Sequence, residues 1–302
     1  MSECESDRKE QKMVYSPLRY PGGKGKLAPF MEALIKKTGH VGGTYVEPFA
    51  GGAGIALELL EKNVVSQIVI NDYDKGIYSF WKAILKETDR FIQEIENVPL
   101  TMDEWNRQRN IIATSANRYS FELGFATFYM NRTNRSGIIK GGVIGGVDQT
   151  GNWKMDARFN KERLIQRIQN IAKRKDAIHV YNKDVVSLIK NYLPKYEENA
   201  FVYFDPPYFA KGKQLYLNFF DYSDHVRIEK VINELVNCDW VITYDDVPQI
   251  ASIYSQHILR RFDLNYSVAV KRKASEIIIF KECDMIPSEE ELLNEKICIN
   301  LR

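Results

Sequence analysis

Four residues with an apolar middle, Thr44-Tyr45-Val46-Glu47, run into Pro48-Phe49-Ala50-Gly51-Gly52-Ala53-Gly54, and a helical pattern, Ile55-Ala56-Leu57-Glu58-Leu59-Leu60, follows. Strand, glycine-rich turn and helix in that order point to an α/β fold with a mostly parallel sheet. Glycines in such a turn let the backbone pass close to a ligand. A second apolar strand, Ile68-Val69-Ile70, ends in Asn71-Asp72. It places a carboxylate about 20 residues after the turn, the spacing at which it can grip ribose hydroxyls. The turn is not G-x-G-x-x-G and no P-loop G-K-[ST] is present, so by itself it is equally an ordinary tight strand–helix junction. Upstream, Arg19-Tyr20-Pro21-Gly22-Gly23-Lys24-Gly25-Lys26 reads either as a basic glycine turn entering a helix or as a seat for an adenosyl ligand that carries an amino-acid carboxylate.

Further on, the apolar run Phe201-Val202-Tyr203-Phe204 reads as a buried strand, and Asp205-Pro206-Pro207-Tyr208 follows it. The tetrapeptide therefore sits at the sheet edge where open α/β sheets bind ligands. Its residue types suit a flat ring bearing an amine. The lone pair of such an amine is delocalised, so attack on a methyl group requires it to be localised. Asp205 can accept one N–H and the Pro206 carbonyl the other, which favours the tetrahedral nitrogen and its developing positive charge. Two prolines fix φ and offer no competing N–H. Tyr208 can stack on an extruded base. The alternative is a strand-ending Pro-Pro turn with a solvated Asp and a half-buried Tyr.

Taken in order, Tyr20-Pro21-Gly22-Gly23-Lys24, Glu47-Pro48-Phe49-Ala50-Gly51-Gly52-Ala53-Gly54, Asp72 and Asp205-Pro206-Pro207-Tyr208 resemble the Dam-like, class D12 adenine-N6 DNA methyltransferases, over roughly residues 15–282. The resemblance implies a Rossmann-like, S-adenosylmethionine-dependent core with a mixed, mostly parallel sheet and a C-terminal antiparallel hairpin. It implies that Tyr20, Gly22, Gly23 and Lys24 contact the cofactor, that Glu47, Pro48, Phe49, Ala50, Gly51 and Gly52 line its pocket, and that Asp72 binds its ribose. Asp184, with Val185, matches an acidic position near the cofactor's adenine, and is equally a helix N-cap for Val185–Tyr192. The stretch Phe209–Phe220 is expected to close over the base, but it differs from the Ser- and Thr-richer loop of GATC-specific members, so the resemblance does not extend to that site.

Overall charge is nearly balanced, 42 basic against 40 acidic residues, and would not suggest nucleic acid. Its distribution does. Between Trp105 and Lys175 there are 14 Lys or Arg against four acids, a net of +10, which leaves −8 on the remainder. A basic insert on an acidic body is the footprint of a module that meets phosphates. The resemblance places the target-recognition domain here, and gives Asn131, Arg132, Asn134 and Arg135 as an Asn-Arg segment that approaches DNA. Six of the chain's 18 glycines follow, at 137, 141, 142, 145, 146 and 151, so residues 138–153 read as a loop from which Lys140 can also reach DNA. Leu164, Ile165, Ile168 and Ile171 give a helix over Lys161–Lys173 its packed face.

The expected organisation is a loose tail over 1–14, a catalytic core over 15–95 and 176–284, a smaller, mainly helical recognition insert over 96–175, and a C-terminal tail over 285–302. His225–Val236 reads as a helix, Trp240–Asp246 as a strand, and residues 266–280 as a closing hairpin around Lys271-Arg272-Lys273. No apolar run reaches the 18 residues of a membrane span, and the charged N-terminus has no signal-peptide core, so a cytoplasmic chain is expected. Four cysteines and four histidines are scattered without ligand spacing, and no metal is expected. The function expected is N6-methylation of a flipped adenine in double-stranded DNA by a monomer, with a restriction endonuclease of the same site as a candidate partner. Cytosine-N4 or RNA-adenine methylation, or a non-catalytic DNA-binding protein of the same fold, are the rivals.

Overall fold

The computed structural model describes residues 14–19, 24–115, 119–210, 220–265, 273–297 and 299–302. Tyr20, Gly22 and Gly23, the tail before Val14, the stretch 211–219 and the hairpin segment 266–272 lie outside the described residues. The strands are β1 (Thr44–Glu47), β2 (Gln67–Asn71), β3 (Ile178–Tyr181), β4 (Ala200–Phe204), β5 (Asp239–Asp245), β6 (Ile258–Asn265) and β7 (Lys273–Phe280). They form one sheet in the order β3-β2-β1-β4-β5-β7-β6. β7 runs antiparallel to β5 and β6, and the other neighbours are parallel. This is the expected Rossmann-like core, mostly parallel with a C-terminal antiparallel pair. The edge strand β3 lacks a clear apolar run, with three of its four residues only half-buried.

Both faces of the sheet are covered, which is why β4 is apolar along its whole length and all five residues are buried. Alternate side chains serve opposite faces. Tyr45, Phe201, Tyr203 and Val241 join one apolar cluster with α1 (Ala28–Lys37), α2 (Gly54–Glu61) and α3 (Lys75–Lys86). Val46, Val202, Phe204 and Ile242 join the other with α8 (Val185–Asn191), α9 (Tyr222–Leu235) and α10 (Pro248–Ile253). The chain runs outward from β1 through β2 to β3, then returns to place β4 on β1's other side. The carboxyl ends of β1 and β4 therefore flank the crevice where strand order reverses, the usual ligand position in such sheets.

α4 (Thr88–Asn97) leads into the insert, which is mainly helical: α5 (Met102–Thr114), α6 (Phe121–Thr133) and α7 (Lys161–Lys173). Ser120 starts α6 by accepting the Leu123 N–H, and nearly every α6 residue is buried. Phe121, Phe125 and Phe128 pack with Phe80 of α3 and Phe91 of α4 in the same apolar cluster that lines the sheet, so the insert shares the core's interior. The glycine-rich stretch after it forms turns, with Gly145 and Gly146 at φ of 90° and 79°. The C-terminal stretch packs on the core. Met285 and Leu292 are buried, and α11 (Glu289–Asn294) docks on α1 through Lys37–Glu291 at 2.9 Å. Arg302 exchanges backbone hydrogen bonds of 2.7 and 2.8 Å with Arg261, covering the exposed edge of β6.

Candidate active site

Asp205-Pro206-Pro207-Tyr208 leaves the carboxyl end of β4 at the crevice. Asp205 Oδ1 accepts a hydrogen bond from Thr243 Oγ1 of β5 at 2.9 Å, and Thr243 pairs with the Tyr203 hydroxyl at 2.7 Å. Lys24, in the single 3-10 turn Lys24–Leu27 ahead of α1, brings its ammonium 3.8 Å from the same Oδ1. That ammonium donates to the Tyr208 hydroxyl and to the Glu276 carboxylate of β7. Burial pushes the Asp205 carboxyl up, and Lys24 and the Thr243 hydroxyl oppose it. Glu276 is raised by burial too, against the pull of Lys24. Asp245, at the end of β5, accepts the N–H groups of Phe209 and Ala210 at 3.0 and 2.8 Å, so the chain leaving the motif is tied to the neighbouring strand. Sequence reading missed Thr243, Asp245 and Glu276. Their only local signal is a polar residue set in or beside an apolar run, as in Glu276-Ile277-Ile278-Ile279.

Across the crevice, Asp72 Oδ2 accepts the Gly51 N–H at 2.9 Å and Oδ1 accepts the Asp74 N–H at 2.8 Å. Burial pushes this carboxyl up to about 7. Gly51 sits at φ 47° in the left-handed region, and its carbonyl accepts from the Trp81 indole at 2.9 Å. Asn71 ties three turns together: its amide nitrogen donates to the carbonyls of Pro48 and Lys183, and its oxygen accepts the Lys183 N–H. Glu47 is buried at the end of β1, accepts the Ala56 N–H at 3.2 Å, and is pushed up to about 8 by burial. Phe49 meets Phe220 edge-to-face at 5.9 Å between ring centres. Asp184 caps α8, accepting the N–H groups of Val186 and Ser187, with Val185 buried as the first helical residue. Of its two readings, the N-cap is the contact seen.

In the insert, Asn131 and Asn134 are 1% and 0% exposed. Asn131 clamps the backbone of Arg19 from both sides at 2.7 Å and donates to the Gly137 carbonyl at 2.8 Å. Asn134 accepts from the Trp105 indole and donates to the carbonyls of Ile138 and Ile139. Amides so engaged cannot also read DNA, so these two residues build the loop where direct contact was expected. Arg132 is buried too. It donates to the Arg158 carbonyl, its Nε has no partner among the described residues, and burial beside Arg19, Arg167 and Arg158 pushes the guanidinium down to about 9. It opens on a cleft of about 640 Å³ that Arg158, Lys161, Arg163 and Arg167 also line. Arg135 and Lys140 are exposed. Between them Gly137 stands at φ 77°, where a Cβ would meet the Arg19 carbonyl at 2.5 Å.

A family model described as D12 class N6 adenine-specific DNA methyltransferase matches residues 20–270. The chain is 24% identical over 238 residues to the Type II methyltransferase M.MjaIII of Methanocaldococcus jannaschii, covering 72% of this chain and 79% of that one. It is 23% identical over 234 residues to the Type II methyltransferase M1.LlaDCHI of Lactococcus lactis subsp. cremoris, covering 72% and 75%. Among solved structures, an rRNA methyltransferase, aviRa from Streptomyces viridochromogenes, aligns over 86% of each chain with a TM-score of 0.38 and 12% identity.

Proposed function

The chain belongs to the D12 class N6 adenine-specific DNA methyltransferase family, and from that premise we propose that it methylates the N6 amine of an adenine extruded from double-stranded DNA, using S-adenosylmethionine. The observation that carries this reading is the Asp205 carboxylate, half-buried at the β4 edge with Oδ1 hydrogen-bonded to Thr243 and Tyr208 close by on Lys24. Asp205 accepts one amine N–H and the Pro206 carbonyl accepts the other, localising the nitrogen lone pair and opposing the positive charge that develops there. Tyr208 stacks on the base. A neutral aryl amine is too weak an acid for a carboxylate to deprotonate beforehand, so the proton leaves during or after transfer.

The crevice suits the cofactor. Asp72 is a desolvated carboxyl whose hydrogen bonds come from backbone N–H groups, and vicinal ribose hydroxyls are the kind of donor that favours its ionised form. Asp72 would hold the ribose, Phe49, Ala50, Gly51 and Gly52 the wall beside it, and Glu47 an ammonium group near the end of β1. Tyr20, Gly22, Gly23 and Lys24 would close the amino-acid end, and Asp184 with Val185 would lie toward the adenine. When bound, S-adenosylmethionine supplies an electrophilic methyl group. On the insert, Arg135 and Lys140 would meet phosphates or base edges, with Arg132 behind them. The chain would act as a monomer in the cytoplasm, where DNA is, and the type II relatives point to a restriction endonuclease of the same site as its partner. Among the described residues no helix is long and apolar enough to cross a membrane.

Incubation with labelled S-adenosylmethionine and unmethylated genomic DNA, followed by nucleoside analysis, should yield N6-methyladenine. Label found only in N4-methylcytosine, in RNA or in protein would overturn the reading.

A further inference from the structure

Thr243 lies near the end of β5 in the run Trp240-Val241-Ile242-Thr243-Tyr244, and it is 0% exposed. A hydroxyl at such a position costs stability unless it is hydrogen-bonded, and packing alone would be served by valine. Its hydroxyl has two side-chain partners. The hydroxyl reaches Asp205 Oδ1 at 2.9 Å on one side and the Tyr203 hydroxyl at 2.7 Å on the other. Tyr203 is itself buried in β4, two residues before Asp205. With Asp205 as an acceptor, the direction of this chain is settled. Thr243 has one proton and gives it to the carboxylate, so Tyr203 must donate to Thr243. Each bond in such a series polarises the next.

The second oxygen is distinguished by the same geometry. Both the Thr243 hydroxyl and the Lys24 ammonium, at 3.8 Å, address Oδ1. We propose that Thr243, oriented by Tyr203, is a positioning residue that fixes the Asp205 carboxylate and commits Oδ2 to the amine of the target base. The inference rests on the role given to Asp205 above. Without the Thr243 hydroxyl, Asp205 can rotate onto Lys24 and close a direct ion pair, which withdraws it from the base.

Thr243→Val keeps the shape and removes the hydrogen bond. Its kcat should fall about 10- to 100-fold, the range for a hydrogen bond to a charged group, with KM for DNA and S-adenosylmethionine close to wild type. Because a donor favours the ionised carboxylate, its loss should also move the acid limb of the kcat profile to higher pH. Thr243→Ser should recover most of the rate, and Tyr203→Phe should show a smaller loss of kcat with a shift of the acid limb in the same direction. A Val variant with wild-type kcat and an unmoved acid limb would overturn the proposal, as would a Ser variant no better than Val. Should Thr243→Val fail to fold, Tyr203→Phe decides: wild-type kcat and an unmoved acid limb overturn the proposal. Asp205→Asn in the same assay separates the two levels. If it turns over, the proposed function falls together with this inference; if it is inactive while Thr243→Val behaves as wild type, only this inference falls.

Discussion

Glu47 ends β1 with a carboxyl that is 5% exposed and is pushed by burial from 4.5 up to about 8. Below the lower value both folded and unfolded chains hold the proton. Between the two values the unfolded chain ionises this group while the folded chain keeps it neutral, so stability present in acid is lost as pH rises toward 8. Gln cannot ionise. The melting temperature of Glu47→Gln should therefore gain on that of the wild type between pH 5 and pH 8 and then run parallel to it, as thermal scans of the ligand-free protein will read. A constant difference across that range would mean that Glu47 is already ionised when folded. At Asp205 a cation, Lys24, opposes the effect of burial together with the Thr243 hydroxyl. Its removal in Asp205→Ala should cost about 10²–10³-fold in turnover or more, the scale of losing a preorganised polar contact to the transition state. Equilibrium titration should show S-adenosylmethionine binding retained.

At the scale of elements, the insert is held to the core by the crossing of α3 and α6. A Cβ at Gly124 would stand 2.5 Å from the Ser79 carbonyl oxygen, and one at Gly76 would stand 2.4 Å from Thr127 Oγ1 in the same crossing. The first clash is with main chain and cannot be relieved by a rotamer. Gly124→Ala should cost about 1–3 kcal/mol, seen as a lower urea midpoint with an unchanged m-value. Neither helix contact is legible in sequence, and the reason is periodic. α7 shows its packed face because its other face is solvated, so Leu164, Ile168 and Ile171 stand out. α6 is buried all round and has no face to show. The site divides in the same way. Asp72 and Asp205 are legible because each ends an apolar strand, where a carboxylate has a local reason to be noticed. Thr243 takes its meaning from β4, the parallel neighbour of β5, and Glu276 from β7, which inserts between β5 and β6, and nothing near either residue in the chain encodes those pairings. Asn131 and Asn134 show the converse, since the Asn-Arg pattern is plain but the amides bind backbone 112 residues away or close at hand.

The whole molecule is electrically divided, +10 between Trp105 and Lys175 and −8 elsewhere. Its insert carries a cleft where Arg132, Arg158, Arg163 and Arg167 gather, and the opposing acid among the lining residues is Asp156. Burial and the neighbouring cations push Arg132 down to about 9, so an anion entering this side relieves a repulsion that already exists in the fold. Association with DNA should therefore be steeply salt-dependent, because each neutralised phosphate releases counterions. Arg135 and Lys140 are the exposed cations of the adjoining loop. Each phosphate contact contributes about 0.9 to the slope of log K against log salt for duplex DNA. Arg135→Ala with Lys140→Ala should flatten that slope by about 1.8 if both residues bind phosphates, and leave the S-adenosylmethionine affinity unchanged. A residue that reads bases gives another pattern: selectivity among sequences falls while the slope holds. Asn131→Ala should produce neither, because its amide holds Arg19 and Gly137 in the interior. Its effect should appear as a lower melting temperature, and as weaker DNA binding only in proportion to the loop it loosens.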